Sequence, residues 1–373
     1  MLTFVRKSTA LAAVTAITCA LAALPAAATA RAFLDRLAKI DTIASMVPTS
    51  GPALGDQNPY GVAVVPRGVG TLVRGDVLVS NFNDDRNQQG TGSSIMEVSP
   101  GGTARVFAAV PRPTATPAVG LTTALAVLRS GFVIVGSLPA PGGTANAARA
   151  GALSILDARG HLVGAIRGGD INGPWDMTAV DRGDRAVLFV TNVLNGTVAA
   201  RGRDVQRGTV VRISLRIRHG HAPVVTSHRM IASGFTEHTD PNALVVGPTG
   251  VGLAPSGTLY VADSSNNRIA AIPDALRRTA PLRHGGRTVA AGGVLNDPLG
   301  LAIAPGGDVI TMNGADGNVV ETTPAGRRAA FKTLIANGAG DLFGLAIAPS
   351  HNGIYLVDDA GSGPTANSLG ILH

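Results

Sequence analysis

The chain of 373 residues contains 48 glycines and 23 prolines, and only 3% of its residues are aromatic. This composition is typical of many short strands joined by turns, and it leaves little of the chain for helices. Basic residues outnumber acidic ones by 31 to 24, but the arginines are scattered, and no basic cluster alternates with aromatic residues. The charge therefore predicts a solvated basic surface and no nucleic-acid partner.

The N-terminal segment has the order of a signal peptide. Arg6 and Lys7 precede an apolar run at 10–24, and small residues lead up to Ala30. We expect a signal peptide at 1–30 that is cleaved after Ala30, so that the protein is exported to the periplasm or the medium. An uncleaved anchor is the alternative. No later run approaches the roughly 18 apolar residues of a membrane helix, so we expect no stable membrane insertion.

The only cysteine, Cys19, lies inside this leader. A mature chain without a thiol has no disulfide, no thiolate metal site and no cysteine nucleophile. Loss of Arg6 and Lys7 with the leader lowers the net charge by two from +7. After the leader we expect a short polar lead-in at 31–40, and residues 32–44 have a composition that suits a short helix.

A two-strand pattern recurs six times along 41–373. Its first strands begin near Tyr60, Thr123, Trp175, Thr249, Leu299 and Phe343. Its second strands end at Asn81, Ser137, Asn192, Asp263, Asn313 and Asp358. The copies follow one another at intervals of 63, 52, 74, 50 and 44 residues, which suits four-stranded blades with variable loops. The sequence therefore predicts an all-β, six-bladed β-propeller, with a β-sandwich or a β-helix as alternatives.

The two ends of the chain are expected to meet in the last blade. The sixth copy has a third strand at its C-terminus and no fourth, and residues 42–47 resemble the fourth strands of other copies. An N-terminal strand that completes this blade would close the ring and leave no free edge. Because aromatic residues are few, we expect an aliphatic core. Within the third copy, residues 196–208 indicate an excursion between the second and third strands.

Residues 250–269, GVGLAPSGTLYVADSSNNRI, carry the clearest motif. Two strands flank a Pro-Ser-Gly turn, and a polar loop leads to a third strand. This segment resembles the NHL repeat, a unit of propeller blades. The resemblance implies a propeller fold with a binding surface, and it implies no particular reaction.

A weaker resemblance extends to six-bladed propellers of the gluconolactonase and strictosidine-synthase-like superfamily. Lactonases of this group hold a divalent metal on a Glu, two Asn and an Asp in the channel. Asn81 or Asn192 and Asp263 match the Asn and Asp elements. The Glu has no match, because Glu97, Glu237 and Glu321 all lie away from the starts of the inner strands.

Two rings of polar residues are predicted at one mouth of the channel, where first strands begin and second strands end. Oxygen donors there suit a polyol or a hard cation such as Ca²⁺. We expect ligand contacts from the strand-end ring and Asp176, and a metal site on Asn81, Asn192 and Asp263; the alternative is that these are structural turn residues. The candidate ligand-binding residues are Asn81, Asp176, Asn192, Asp263, Asn313 and Asp358. The strand-start ring consists of Asn58, Asp176, Asp297 and Asp341.

Histidines supply two further candidates. His219 and His221 would share one face of an extended strand, which suits a metal site, although their surroundings also suit an exposed hairpin turn. His238 stands between Glu237 and Asp240. It is the candidate general base, with a polar connecting loop as the alternative.

The sequence alone thus predicts an exported NHL-like propeller that binds a small molecule, glycan or protein at the channel mouth, without a complete catalytic set. A divalent cation such as Ca²⁺ is the cofactor that the oxygen donors would accept. The alternative function is a metal-dependent hydrolase, lactonase or lyase of the propeller superfamily.

Overall fold

The computed structural model describes Met1 and residues 31–110, 120–360 and 366–373. The predicted signal peptide, its cleavage after Ala30 and Cys19 fall outside these ranges. Within them the chain forms six antiparallel sheets, five of four strands and one of five, arranged as the six blades of a ring. The predicted six-bladed β-propeller is confirmed. Among the residues described, no helix has the length and apolar character that crossing a membrane requires.

The strands of each blade follow chain order from the channel outward. Blade one contains β2 (Gln57–Val64), β3 (Val77–Asn83), β4 (Ser94–Val98) and β5 (Ala104–Ala109). Blade two contains β6 (Leu121–Val127), β7 (Val133–Ser137), β8 (Ala152–Leu156) and β9 (Leu162–Ile166). Blade three contains β10 (Pro174–Asp181), β11 (Arg185–Asn192), β12 (Val205–Arg218), β13 (His221–Asp240) and β14 (Leu244–Val246).

The second half of the ring has the same plan. Blade four contains β15 (Pro248–Leu253), β16 (Leu259–Asp263), β17 (Arg268–Ile272) and β18 (Arg287–Ala291). Blade five contains β19 (Pro298–Ile303), β20 (Val309–Asn313), β21 (Asn318–Thr322) and β22 (Arg328–Thr333). Blade six contains β23 (Leu342–Ile347), β24 (Ile354–Asp358), β25 (Ser368–Leu372) and, as its outer strand, β1 (Ile40–Ser45).

Pairing of β1 with β25 closes the ring, as predicted. Ile40 pairs with Leu372 and Ser45 with Ser368, with a register shift after Thr42. The strand begins two residues earlier than the sequence pattern indicated. Beyond it, the amides of Ala38 and Lys39 donate to the carbonyl of the last residue, His373. The chain ends are therefore joined by a ladder that leaves the last blade complete.

Residues 31–40 were predicted to form a short polar lead-in, and the structure differs from this prediction. A 3-10 helix spans only Leu34–Arg36, so the expected helix over 32–44 is wrong. Leu34 is fully buried, and the amides of Phe33 and Leu34 donate to the carboxylate of Glu321 at 3.0 and 2.7 Å. This anchor on blade five positions the chain for β1. The segment is therefore part of the core and not a polar lead-in.

Blade three carries the predicted excursion. The helix α1 (Thr197–Ala200) lies between β11 and β12, and the long β12–β13 hairpin extends beyond the other blades. His219 and His221 flank the turn at Gly220, where φ is +75°, and both are exposed. This is the exposed hairpin that the sequence analysis gave as the alternative to a metal site.

The core between blades is mainly aliphatic, as expected, although Phe189 and Phe235 are fully buried in it, whereas aromatic side chains meet at the channel axis. Near the starts of three inner strands, Tyr60, Trp175 and Phe343 meet with Phe82 in one buried cluster, here called the axial aromatic cluster. The rings of Tyr60 and Phe343 stack with centroids 4.1 Å apart, and Trp175 stands edge-on to Tyr60 at 6.1 Å. Few aromatic residues are present, and the only tryptophan is placed here.

Candidate functional site

The two faces of the propeller differ in access to the channel. Inner strands begin and second strands end at one face, here called the start face: Gln57 pairs with Asn83, and Pro174 with Asn192. The opposite face is called the end face. At the start face the axial aromatic cluster packs together with Met46, which follows β1, Leu138, which follows β7, and Leu244 of β14. The mouth at which ligand contacts were predicted is therefore filled by apolar side chains.

The strand-end ring lies beneath loops of the start face and holds them. Asn81, Asn192 and Asn313 are fully buried. The amide nitrogen of Asn81 donates to the carbonyl of Met46 at 2.7 Å, and that of Asn313 to the carbonyl of Val294 at 2.7 Å. The side-chain oxygen of Asn192 accepts the amide of Asn172 at 3.2 Å. These contacts favour the structural alternative for the ring.

Both carboxylate oxygens of Asp263, the aspartate of the YVAD motif, already accept hydrogen bonds from neighbouring side chains. Arg268 Nε lies 2.5 Å from Oδ2, and Asn266 donates to both oxygens at 3.0 and 3.1 Å. Burial raises the pKa of Asp263, and the guanidinium of Arg268 opposes that rise. The carboxylate thus fixes the loop after β16 and the side chain of Arg268.

Few side-chain oxygen donors line the channel axis. The residues that meet there are mainly aromatic and aliphatic, and Asp176 is the one carboxyl among those that line the channel cavities. All three glutamates serve elsewhere: Glu97 binds Arg105, Glu237 binds Asn195, and Glu321 holds the N-terminal segment. No group of three His, Cys, Asp or Glu side chains in the described ranges is placed to hold a metal. Metal binding by Asn81, Asn192 and Asp263 stays a prediction.

The start face also carries half-buried carboxylates on blades five and six. Burial raises the pKa of Asp297 to about 6, and Asp240 adds to the shift while His238 opposes it. Burial likewise raises the pKa of Asp359 to about 6, with Asp341 as the next cause. Asp358 accepts the amide of Ala360 at 2.7 Å. Burial raises the pKa of the Tyr60 phenol in the axial aromatic cluster, and the charges of Asp297 and Asp359 raise it further.

His238 is one-quarter exposed, and its Nδ1 lies 3.1 Å from a carboxylate oxygen of Asp204. The sequence pattern did not indicate Asp204, which precedes the long hairpin. The neighbouring Glu237 points to the opposite side of β13, where it is fully buried and accepts the amide of Asn195 at 2.8 Å. Burial raises the pKa of Glu237 to about 8. His238 and Glu237 therefore do not act on the same site.

Asp176 is the candidate that reaches the channel. The second residue of the repeated first strand is glycine in four copies, at Gly61, Gly250, Gly300 and Gly344, and it is Asp176 in blade three. At Gly344 a Cβ atom would overlap the carbonyl oxygen of Tyr60 in the next inner strand. Glycine there lets adjacent inner strands approach closely. Blade three replaces this contact with a carboxyl group.

The carboxyl of Asp176 is held between two strands. Val251 of the next blade donates its amide to Oδ2 at 3.1 Å, and the amide of Met177 donates to Oδ1 at 2.7 Å. Burial raises the pKa of Asp176 to about 8, which these two hydrogen bonds only partly offset. The group is consequently mostly protonated at pH 7.

A cavity of about 310 Å³ extends from Asp176 toward the end face. Most of the side chains that line it are aliphatic, including Leu125, Leu253 and Ile303, but polar atoms form the larger part of its exposed surface. On the other side of Asp176, below the axial aromatic cluster, the space narrows to about 20 Å³. The channel is thus a blind well that is entered from the end face, with one ionisable group at its bottom.

Comparisons with known proteins agree with this architecture. The sequence model of the NHL repeat matches residues 246–272. This protein is a six-bladed β-propeller with an NHL repeat in blade four. No curated protein matches its sequence.

Solved structures show the same fold at low sequence identity. A gluconolactonase from Xanthomonas campestris has 14% identity and a TM-score of 0.54, covering 89% of this chain and 88% of its own. A luciferin-regenerating enzyme has 11% identity and a TM-score of 0.55, with 89% and 93% covered. The calcium-binding protein regucalcin from Agrobacterium tumefaciens has 13% identity and a TM-score of 0.53, with 89% and 93% covered. At these identities the likeness concerns the fold alone.

Proposed function

We propose that this NHL-repeat propeller binds a small polar molecule in the axial well, with Asp176 as the group that the ligand meets. The observation that carries the proposal is the replacement of the repeat's glycine by an aspartate at the bottom of the one well on the axis. A volume of about 310 Å³ suits a small molecule or the end of a glycan and is too small for a protein segment with side chains.

The chemistry of Asp176 indicates which ligands suit the well. Each carboxyl oxygen already accepts one backbone amide. The protonated form has an O–H left to donate to a hydroxyl or carbonyl oxygen, whereas the ionised form attracts a cation. The mainly polar surface of the well favours a ligand that is rich in hydrogen-bonding groups. We therefore expect a sugar, a sugar lactone or a related polyol.

Trp175 gives a direct readout of this site. It is the only tryptophan, and it precedes Asp176 on β10. We expect saturable changes in tryptophan fluorescence when monosaccharides, sugar lactones and polyols are titrated, and loss of the response in Asp176→Ala. Asp85→Asn, on an exposed loop, is the matched control and should respond as the wild type does. A panel without any saturable ligand, or equal responses in all three proteins, would exclude the well as the site.

A catalytic role is the second candidate, because a carboxyl with a pKa of about 8 can exchange a proton near neutral pH. Turnover of lactones and esters, with and without added Ca²⁺, Mn²⁺ or Zn²⁺, tests it. Activity that disappears in Asp176→Asn would make the protein an enzyme. Absence of turnover from a ligand that binds would leave it a binding protein.

We also infer that the protein works outside the cytoplasm, because residues 1–30 have the order of an export signal. N-terminal sequencing of protein recovered from periplasm and medium should start at Arg31. A chain that keeps Met1 and stays with the cytoplasmic fraction would contradict export.

A further inference from the structure

A second and larger hollow lies on the end face, away from the axis. Turns of blades two and three surround it, and the β2–β3 loop of blade one closes one side, giving a volume of about 660 Å³. None of its lining residues lines the axial well. We call this hollow the end-face basin.

The rim of the basin is basic. Four arginines that line it come from four different connections and are all exposed: Arg67, Arg129, Arg159 and Arg218. Their guanidinium groups make no hydrogen bond or ion pair with any part of the chain that the structure describes. Because arginine stays charged throughout the physiological pH range, four positive charges meet around one hollow.

Two carboxylates also line the basin, but both have partners. Asp157 accepts the amides of Arg159 and His161 at 2.8 and 2.9 Å and contacts the ring of His161 at 3.1 Å. The carboxylate of Asp184 lies 3.9 Å from Arg185 Nε. These two carboxylates offset two of the four positive charges, so the side chains that line the basin keep an excess of two arginines over aspartates.

The floor of the basin is apolar. Ile217 is 7% exposed and packs with the half-buried Phe132 in the core cluster of blades two and three. Val69 reaches over from blade one and lies so close to Gly131 that a Cβ atom there would be 2.8 Å from its Cγ1. Phe132, Val69 and Ile217 thus form an aromatic and aliphatic surface beneath the charged rim.

We propose that the end-face basin binds an organic anion in which an apolar or aromatic body carries a phosphate or carboxylate group. The body lies on Phe132, Val69 and Ile217, and the anionic group takes hydrogen bonds from the guanidinium forks, whose geometry matches oxyanions. A volume of about 660 Å³ admits such a molecule, whereas a helical nucleic acid is too wide to enter a hollow of this size. This site goes beyond the proposed function of the axial well.

Isothermal titration of the full-length mature protein tests the proposal with phenyl phosphate, benzoate, inorganic phosphate and benzyl alcohol. We expect phenyl phosphate to bind at least about tenfold more tightly than either inorganic phosphate or benzyl alcohol, since only it uses both floor and rim. The ratio of phenyl phosphate to benzoate decides which anionic group is preferred. Equal affinities for phenyl and inorganic phosphate, or no binding of phenyl phosphate at millimolar concentration, would overturn the proposal.

Two double variants separate a local site from overall charge. Arg129→Gln with Arg159→Gln removes two rim charges, and Arg287→Gln with Arg328→Gln removes two exposed charges from the outer strands of blades four and five. The first pair should weaken phenyl phosphate binding by roughly tenfold or more, and the second by less than about twofold. Equal losses would show that net charge alone attracts the anion. Asp176→Ala should leave phenyl phosphate binding unchanged. The test therefore distinguishes failure of the axial site from failure of the end-face basin.

Discussion

Asp176 Oδ2 accepts the backbone amide of Val251 at 3.1 Å, which ties the inner strand of blade three to that of blade four through a carboxyl group. Where glycine occupies this position, the neighbouring backbones touch directly, as at Gly344 and the carbonyl of Tyr60. In blade three, a hydrogen bond to the titratable carboxyl of Asp176 therefore takes the place of a direct backbone contact at the channel axis.

The first prediction concerns pH and Asp176. Its pKa of about 8 lies above the ordinary value of 3.8, so the folded protein keeps a proton that the unfolded chain releases above about pH 4. The resulting stability is complete below that pH and is lost as the pH rises through 8. We expect Tm to fall between pH 5 and 9, and to fall less in Asp176→Asn. Parallel wild-type and variant profiles would contradict the assignment of this titration to Asp176.

The second prediction concerns Glu237, which is fully buried and has a pKa of about 8. At pH 7 the group is mostly protonated, so Glu237→Gln resembles it and keeps an acceptor for the amide of Asn195. We expect Glu237→Gln to unfold in urea within about 1 kcal/mol of the wild type, and Glu237→Ala to lose roughly 1–3 kcal/mol by leaving that amide unpaired. A large loss in the glutamine variant would mean that the ionised form is required.

The third prediction concerns the N-terminal anchor. Leu34 is fully buried between blades five and six, so Leu34→Ala should lower the free energy of unfolding by about 2–5 kcal/mol. Lys39→Ala, whose ion pair with Asp41 is exposed, should change it by less than about 1 kcal/mol. Urea unfolding compares the two. Equal stability of both variants would show that the segment before β1 does not contribute to closure.

Deletion variants extend this test to the closing strand. Loss of 31–40 removes the buried Leu34 and the hydrogen bonds to Glu321, so we expect that deletion to lower Tm clearly. Deletion of 31–48 also removes β1 and exposes the backbone groups of β25, so it should melt lower still and aggregate. Unchanged melting of both deletion variants would exclude β1 as the closing strand.

The fourth prediction concerns the close approach of inner strands. Gly344→Ala places a Cβ against the carbonyl of Tyr60, and we expect a loss of about 1–3 kcal/mol from overpacking. Gly306→Ala is the matched control, because its Cβ would meet no atom within 4 Å and its φ is not positive. Thermal unfolding should separate the two variants. Similar Tm values would show that the ring can expand at this point without cost.

The sequence by itself determined the blade count, the order of strands and the closing strand. These features depend on alternation, turn residues and a recurring two-strand signature, all of which are local. The same alignment of copies contains the signal for Asp176, since an aspartate stands where four copies have glycine. The repeat pattern also located the buried asparagines. It did not show that they hold the loops, because the carbonyl groups that they bind come from other parts of the chain.

Tertiary structure decided which mouth of the channel is open. Tyr60, Trp175 and Phe343 are far apart in sequence, but they occupy equivalent places in three blades and converge when the ring closes. Their rings fill the mouth of the channel at the start face. The opening at the end face leads to Asp176. The arginines of the end-face basin meet in the same way, from separate turns. Ring closure brings together residues that lie far apart along the chain, and it thereby determines where this protein can hold a ligand.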